Sequence, residues 1–169
     1  EEDIDYDLAP EYDWIEIANS SNNLNLVDYG DGCYNSNTSA CNGYGAADYG
    51  DYTNSSETID LPFVFTFYGI DYDKIIVSTN GWISFGDFEM YSFRNYPIPG
   101  AGGPSPMIAA FWDDLKISSN GNVYYAEFED YVVIQWNNMR TYDNNDNETF
   151  QMILFDKSVS SPTITGDSE

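Results

Sequence analysis

A chain of 169 residues with 29 Asp and Glu against 5 Lys and Arg, and with no histidine, carries a formal net charge of −24. Such a surface repels phosphate backbones and anionic lipid headgroups alike, which excludes nucleic-acid binding and polybasic attachment to membranes. Without histidine there is no Ser-His-Asp or Cys-His nucleophile pair and no His-ligated transition metal, so carboxylates and amides are the main polar chemistry, and they suit hard cations, above all Ca²⁺.

The length predicts one domain, and 42% hydrophobic residues with 17% aromatics suffice for a real core. The apolar residues are mostly Tyr, Phe, Ile and Val, and Asn, Asp, Ser and Gly punctuate them, which predicts an all-β fold. The longest apolar run, residues 107–112, is far short of the roughly 20 residues of a membrane-spanning helix. No membrane insertion is expected.

Residues 1–12 form a charged arm in which Ile4, Tyr6 and Leu8 alternate with Asp3, Asp5 and Asp7, ended by Pro10. As a strand this segment has one apolar and one anionic face. It can add to the sheet of a neighbouring subunit, main-chain hydrogen bonds giving affinity, and head-to-tail repetition of that contact builds an open filament. It can equally pair within its own domain or stay mobile.

Residues 13–18 alternate as the first strand of a single domain over residues 13–169. A long polar loop, residues 19–57, follows and holds Cys33 and Cys41. The two cysteines can close a small disulfide loop in an oxidising compartment, whereas nothing basic lies nearby in sequence to make either a reactive thiolate. Sequons begin at Asn19, Asn37, Asn54 and Asn147, each in polar, turn-like sequence that can carry an N-linked glycan. With the cysteine pair they point to an exported, extracellular protein. A start at Glu1 is expected of a mature chain after removal of a leader.

From residue 58 the pattern becomes regular, with Leu61, Phe63, Phe65 and Phe67 on one face of a strand. Strands over 74–79 and 82–85 are joined at Asn80-Gly81, a dipeptide suited to the positive φ angles of a tight hairpin. A Pro/Gly loop at 100–106 leads into a strand over 107–112, and Asn120-Gly121 turns the chain before a strand over 123–128. Glu129-Asp130 closes a hairpin to 131–138, where Val132, Ile134 and Trp136 share a face, and an acidic turn over 143–148 precedes a strand over 149–155. About eight strands at this spacing predict a two-sheet antiparallel β-sandwich of jelly-roll or immunoglobulin-like kind.

Six pieces follow one another in order: Leu61-Pro62-Phe63-Val64-Phe65-Thr66-Phe67-Tyr68-Gly69, Ser78-Thr79-Asn80-Gly81-Trp82-Ile83-Ser84-Phe85-Gly86, Ile108-Ala109-Ala110-Phe111-Trp112-Asp113-Asp114-Leu115, Val123-Tyr124-Tyr125, Val132-Val133-Ile134-Gln135-Trp136-Asn137-Asn138 and Thr149-Phe150-Gln151-Met152-Ile153-Leu154-Phe155. The series resembles a non-catalytic β-sandwich module, similar to the extracellular part of nidogen, found in secreted and cell-surface prokaryotic proteins and often beside protease domains. The resemblance covers roughly residues 13–156 and implies an extracellular, non-enzymatic module without implying a ligand. In that family a further strand normally follows the one resembling residues 149–155. Here residues 156–169 are rich in Ser, Thr, Pro and Gly, and their only strand-like piece is Pro162-Thr163-Ile164-Thr165. Either this piece is a poor last strand or the fold lacks one, to be completed by a donated strand.

Carboxylates cluster at Asp28 and Asp31, at Asp48 and Asp51, at Asp113 and Asp114, and at Asp143, Asp146 and Glu148. Each group can be a Ca²⁺ site or a solvated acidic loop; none has the EF-hand spacing. Asp113-Asp114 could be read as the acid and base of a glycosidase, but adjacent residues of a strand point to opposite faces. Trp14, Trp82, Trp112, Trp136 and the 15 Tyr could line a lectin-like groove, although their alternation along strands assigns them first to core and sheet surface. The expectation is a structural subunit of a pilus-like surface filament, with residues 3–8 inserted in the next copy. The alternative is an accessory carbohydrate- or protein-binding module of a larger secreted protein.

Overall fold

The computed structural model describes residues 13–28, 55–86, 97–98, 106–117, 119–142, 144 and 146–158. Among them eight strands form two antiparallel sheets, and there is no helix. The first sheet joins β1 (Ser56–Phe67), β2 (Ile70–Ser78), β3 (Trp82–Phe85) and β4 (Met107–Ala109) in that order. In the second, β7 (Tyr131–Thr141) is central, with β8 (Asn147–Phe155) along one edge, while β6 (Asn122–Glu127) and β5 (Leu115–Lys116) lie end to end along the other.

Alternation explains how the sheets meet. Leu61, Phe65, Val77 and Phe85 from the first sheet and Val132, Ile134, Trp136 and Leu154 from the second belong to one buried apolar cluster, so the inner faces pack as a sandwich. The face expected of β1 is the inner one: Leu61 and Phe65 are buried, and Phe63 and Phe67 pack against the same cluster. Its register is not continuous. Asp60 pairs with Lys74 and Phe65 with Tyr72, so residues 61–64 stand opposite Asp73 alone. Pro62 lies inside this bulge on an edge strand, where the missing N–H breaks no ladder bond.

Several boundaries differ from the sequence reading: β2 begins at Ile70 rather than at 74, the strand expected over 107–112 ends at Ala109, and β7 runs past 138 to Thr141. Residues 13–18 are extended but belong to no ladder, because they cross the outer face of the second sheet. Leu115–Lys116, with no alternation to mark it, is a short strand paired to Thr141 and Arg140. Asn147 and Glu148 sit in β8 opposite Arg140 and Met139 rather than in the acidic turn. The Glu129-Asp130 hairpin forms as expected, with the Phe128 amide donating to the Tyr131 carbonyl at 2.9 Å.

Candidate functional site

The turn from β2 to β3 organises one end of the sandwich. Ser78 pairs with Trp82, the Gly81 amide donates to the Ser78 carbonyl at 3.3 Å, and Gly81 has φ of 78°. This is a three-residue turn with one left-handed residue, in place of the two-residue turn that Asn80-Gly81 suggests. The two-residue turn occurs instead at Tyr68-Gly69, where φ is 49° and 77°.

Asn80 is released from turn duty and points inward. Its Oδ1 accepts the Leu115 amide at 3.0 Å, and its carbonyl accepts the Asp113 amide at 3.4 Å. Thr79 donates its hydroxyl to Oδ2 of Asp28 at 2.6 Å, and its amide to the Ser55 carbonyl at 2.8 Å. Trp136, from the other sheet, donates Nε1 to the Ser78 carbonyl at 2.8 Å. Three residues of one turn, Ser78, Thr79 and Asn80, thus hold the two sheets and three loop segments together. A buried polar atom needs such a partner, since leaving it unpaired costs about 1–3 kcal/mol.

Acidic residues gather around this turn. Asp28 is 2% exposed, and its carbonyl accepts the Ile117 amide at 2.9 Å. Asp113 and Asp114 lie in the loop between β4 and β5, not on a strand, so the argument from opposite faces does not apply to them. The Asp114 carbonyl accepts the Tyr142 amide at 2.9 Å, which brings the β7–β8 loop alongside. In that loop the Thr141 amide donates to the Asp146 carbonyl at 3.0 Å, and the Asp146 amide donates to Thr141 Oγ1 at 3.1 Å. Lys116 supplies a local cation, 5.0 Å from the centre of the Tyr142 ring.

Asp28, Asp113, Asp114 and Asp146 therefore share one end of the fold, but among the described residues no three His, Cys, Asp or Glu converge closely enough to hold a metal ion. Glu148 stands apart on β8. Asp31, Asp48, Asp51 and Asp143 lie outside the described residues, as do Cys33, Cys41, Asn37, Asn54 and the arm with Ile4, Tyr6 and Leu8. The sequons at Asn19 and Asn147 are both exposed. Asn19 already donates Nδ2 to the Ile17 carbonyl at 3.2 Å. Of the tryptophans, Trp82 and Trp136 are fully buried and Trp112 nearly so, which makes them core; Trp14 is 38% exposed.

A second polar arrangement lies on the outer face of the second sheet. The Ile15 amide donates to Gln151 Oε1 at 3.1 Å and its carbonyl accepts Gln151 Nε2 at 2.9 Å, while the Ile17 amide donates to Gln135 Oε1 at 3.1 Å. Gln135 Nε2 donates to Glu16 Oε1 at 2.9 Å. The Ala18 amide, then Gln135 and Trp14, hold the Glu16 carboxyl below its ordinary pKa. Burial and the Glu127 carboxylate push the Tyr125 phenol the other way. Neither glutamine is marked by the period-two pattern. The available signal was an amide inside the apolar run Val132-Val133-Ile134-Gln135-Trp136, since a buried amide implies a dedicated partner.

A protein-family model described as NIDO related matches residues 29–160, most of the chain. No curated protein and no solved structure matches it.

Proposed function

Because the chain belongs to the NIDO-related family, we propose that it is a non-catalytic extracellular module that holds protein chains together, and in particular a subunit of a pilus-like surface filament. In this reading Ile4, Tyr6 and Leu8 enter the next copy as a donated strand, glycans occupy exposed sequons, and Ca²⁺ neutralises part of the acidic end. The observation that supports it is the use of the buried polar groups. Asp28, Thr79, Asn80 and Gln135 are buried, and with the half-buried Gln151 each holds one segment of this chain to another.

Electron microscopy of the native secreted material, beside a chain lacking residues 1–9, tests the reading. Regular filaments from the full chain and none from the shortened one are expected. Equal filament yield from both would remove strand donation. Dispersed monomers from both would favour the second reading, an accessory module that binds carbohydrate or protein. That reading draws on one observation: Val64, Tyr68 and Ile70 are 43%, 81% and 57% exposed near the free end of the β1–β2 hairpin. A glycan array without hits would count against its carbohydrate form.

A further inference from the structure

The outer face of the second sheet carries rows of side chains set by the register. Gln135 on β7 stands beside Gln151 on β8 and Tyr124 on β6, and Val133 stands beside Ile153 and Ala126. Residues 13–18 cross these rows, meeting β8 at Gln151 before β7 at Gln135. Ile17, 3% exposed, is buried with Tyr124 and Val133, and Ile15 packs at the margin of the same cluster.

Two features make this seat unusual. First, each carboxamide offers both a donor and an acceptor, so the pair presents to an extended backbone what the edge of a strand would present, but from the face of a sheet. Three of the bonds, to the Ile15 amide, the Ile15 carbonyl and the Ile17 amide, read main chain. Second, the segment contributes nothing to the ladders, which run between β6, β7 and β8 without it. Residues 22–24 stay paired to β6 through the Asn23–Tyr124 bridge, so residues 13–18 can leave by turning at 19–21 without unpairing a strand, and an identical segment can enter through the same contacts. It reaches the face over the side of β8, a strand whose only ladder among the described residues is with β7.

We propose that Gln135 and Gln151 form a binding site for an extended peptide, and that in the assembled protein its occupant is residues 13–18 of a second copy. The inference rests on the self-assembly reading and names the seat at which copies meet. Main-chain bonds give the affinity, and the pockets for Ile15 and Ile17 set the register. Since Asp13 and Glu16 approach a body of net charge −24, exchange between copies rises with ionic strength.

Two complementary full-length variants test it. One carries Ile15→Ser and Ile17→Ser, which spoils the segment and leaves the glutamines; the other carries Gln135→Ala and Gln151→Ala, which spoils the seat and leaves the segment. Each alone is expected to sediment as a monomer. Their equimolar mixture is expected to form a 1:1 complex in sedimentation velocity, more of it at higher salt. A mixture that sediments as two monomers, with circular dichroism showing both chains folded, overturns the proposal. Should the serine pair lose its β signal, Ile17→Ala serves as the receiving chain, and absence of a complex with that folded variant is equally decisive. Filaments from the Gln135→Ala, Gln151→Ala chain in native yield would overturn the seat while leaving the filament reading intact.

Discussion

Gly81 and Phe111 meet backbone to backbone: the Phe111 amide donates to the Gly81 carbonyl at 3.3 Å, and a Cβ on Gly81 would lie 1.8 Å from the Phe111 carbonyl oxygen. No L side chain fits there, and a φ of 78° independently disfavours one. Gly81→Ala is expected to lower stability by about 2–4 kcal/mol, through forced separation of the two loops as well as the strained dihedral. The urea midpoint reads this directly, and an unchanged midpoint would mean that the two loops do not meet in solution.

The bond from Thr79 to Asp28 ties a turn to a segment 51 residues away. Thr79→Val preserves shape but withdraws a donor from a nearly inaccessible carboxylate, which is expected to cost about 1–3 kcal/mol. Thr79→Ser, which keeps the hydroxyl, should lose less. Equal losses in equilibrium denaturation would assign the effect to packing of the methyl group.

Tyr68 occupies a left-handed position, φ 49°, with an aromatic side chain that is 81% exposed. Left-handed backbone costs most L residues about 1–2 kcal/mol, and Asn tolerates it better. Tyr68→Asn is therefore expected to stabilise the fold by roughly 0.5–1 kcal/mol. Its edge contact with Phe67, ring centres 4.6 Å apart, acts in the opposite sense. A fall in melting temperature would place that contact above the backbone strain.

Glu16 and Asp71 have carboxyls held below their ordinary values, Glu16 chiefly by the Ala18 amide and Asp71 chiefly by the Thr66 hydroxyl. A depressed carboxyl pKa adds stability that is present above the unfolded value and lost as pH falls through the folded one. For Glu16 the unfolded value is 4.5, so protection of the Ile15 and Ile17 amides from hydrogen exchange should persist at neutral pH and weaken below that point. Glu16→Gln should flatten this dependence. Protection in the native chain that does not change with acid would separate the seat from Glu16.

The acidic end predicts a response to cations. Millimolar Ca²⁺, the range of weak extracellular sites, should raise the melting temperature and chelator should lower it. Asp113→Asn combined with Asp114→Asn should reduce the rise. Melting curves insensitive to both additions would identify the carboxylates as solvated surface.

Strands were legible wherever the apolar pattern has period two and one face meets the core. Val132, Ile134 and Trp136 alternate in sequence and are buried together, and the inward set of β1 survives even a bulge because burial holds its face. Period two is a local property, so sequence alone determined the fold class, the two sheets and most of the core. It could not distinguish a strand from residues 13–18, which alternate equally well. Alternation states that one face is apolar and leaves open where the backbone finds its hydrogen bonds. Those partners, Gln135 and Gln151, are 118 and 136 residues away from the amides they receive. Asn80 reads in the same way as a turn residue, and is a strut because the Leu115 amide, 35 residues on, arrives within its reach. Tertiary structure decided both roles, since a buried backbone group takes whichever partner the packed sheets bring to it.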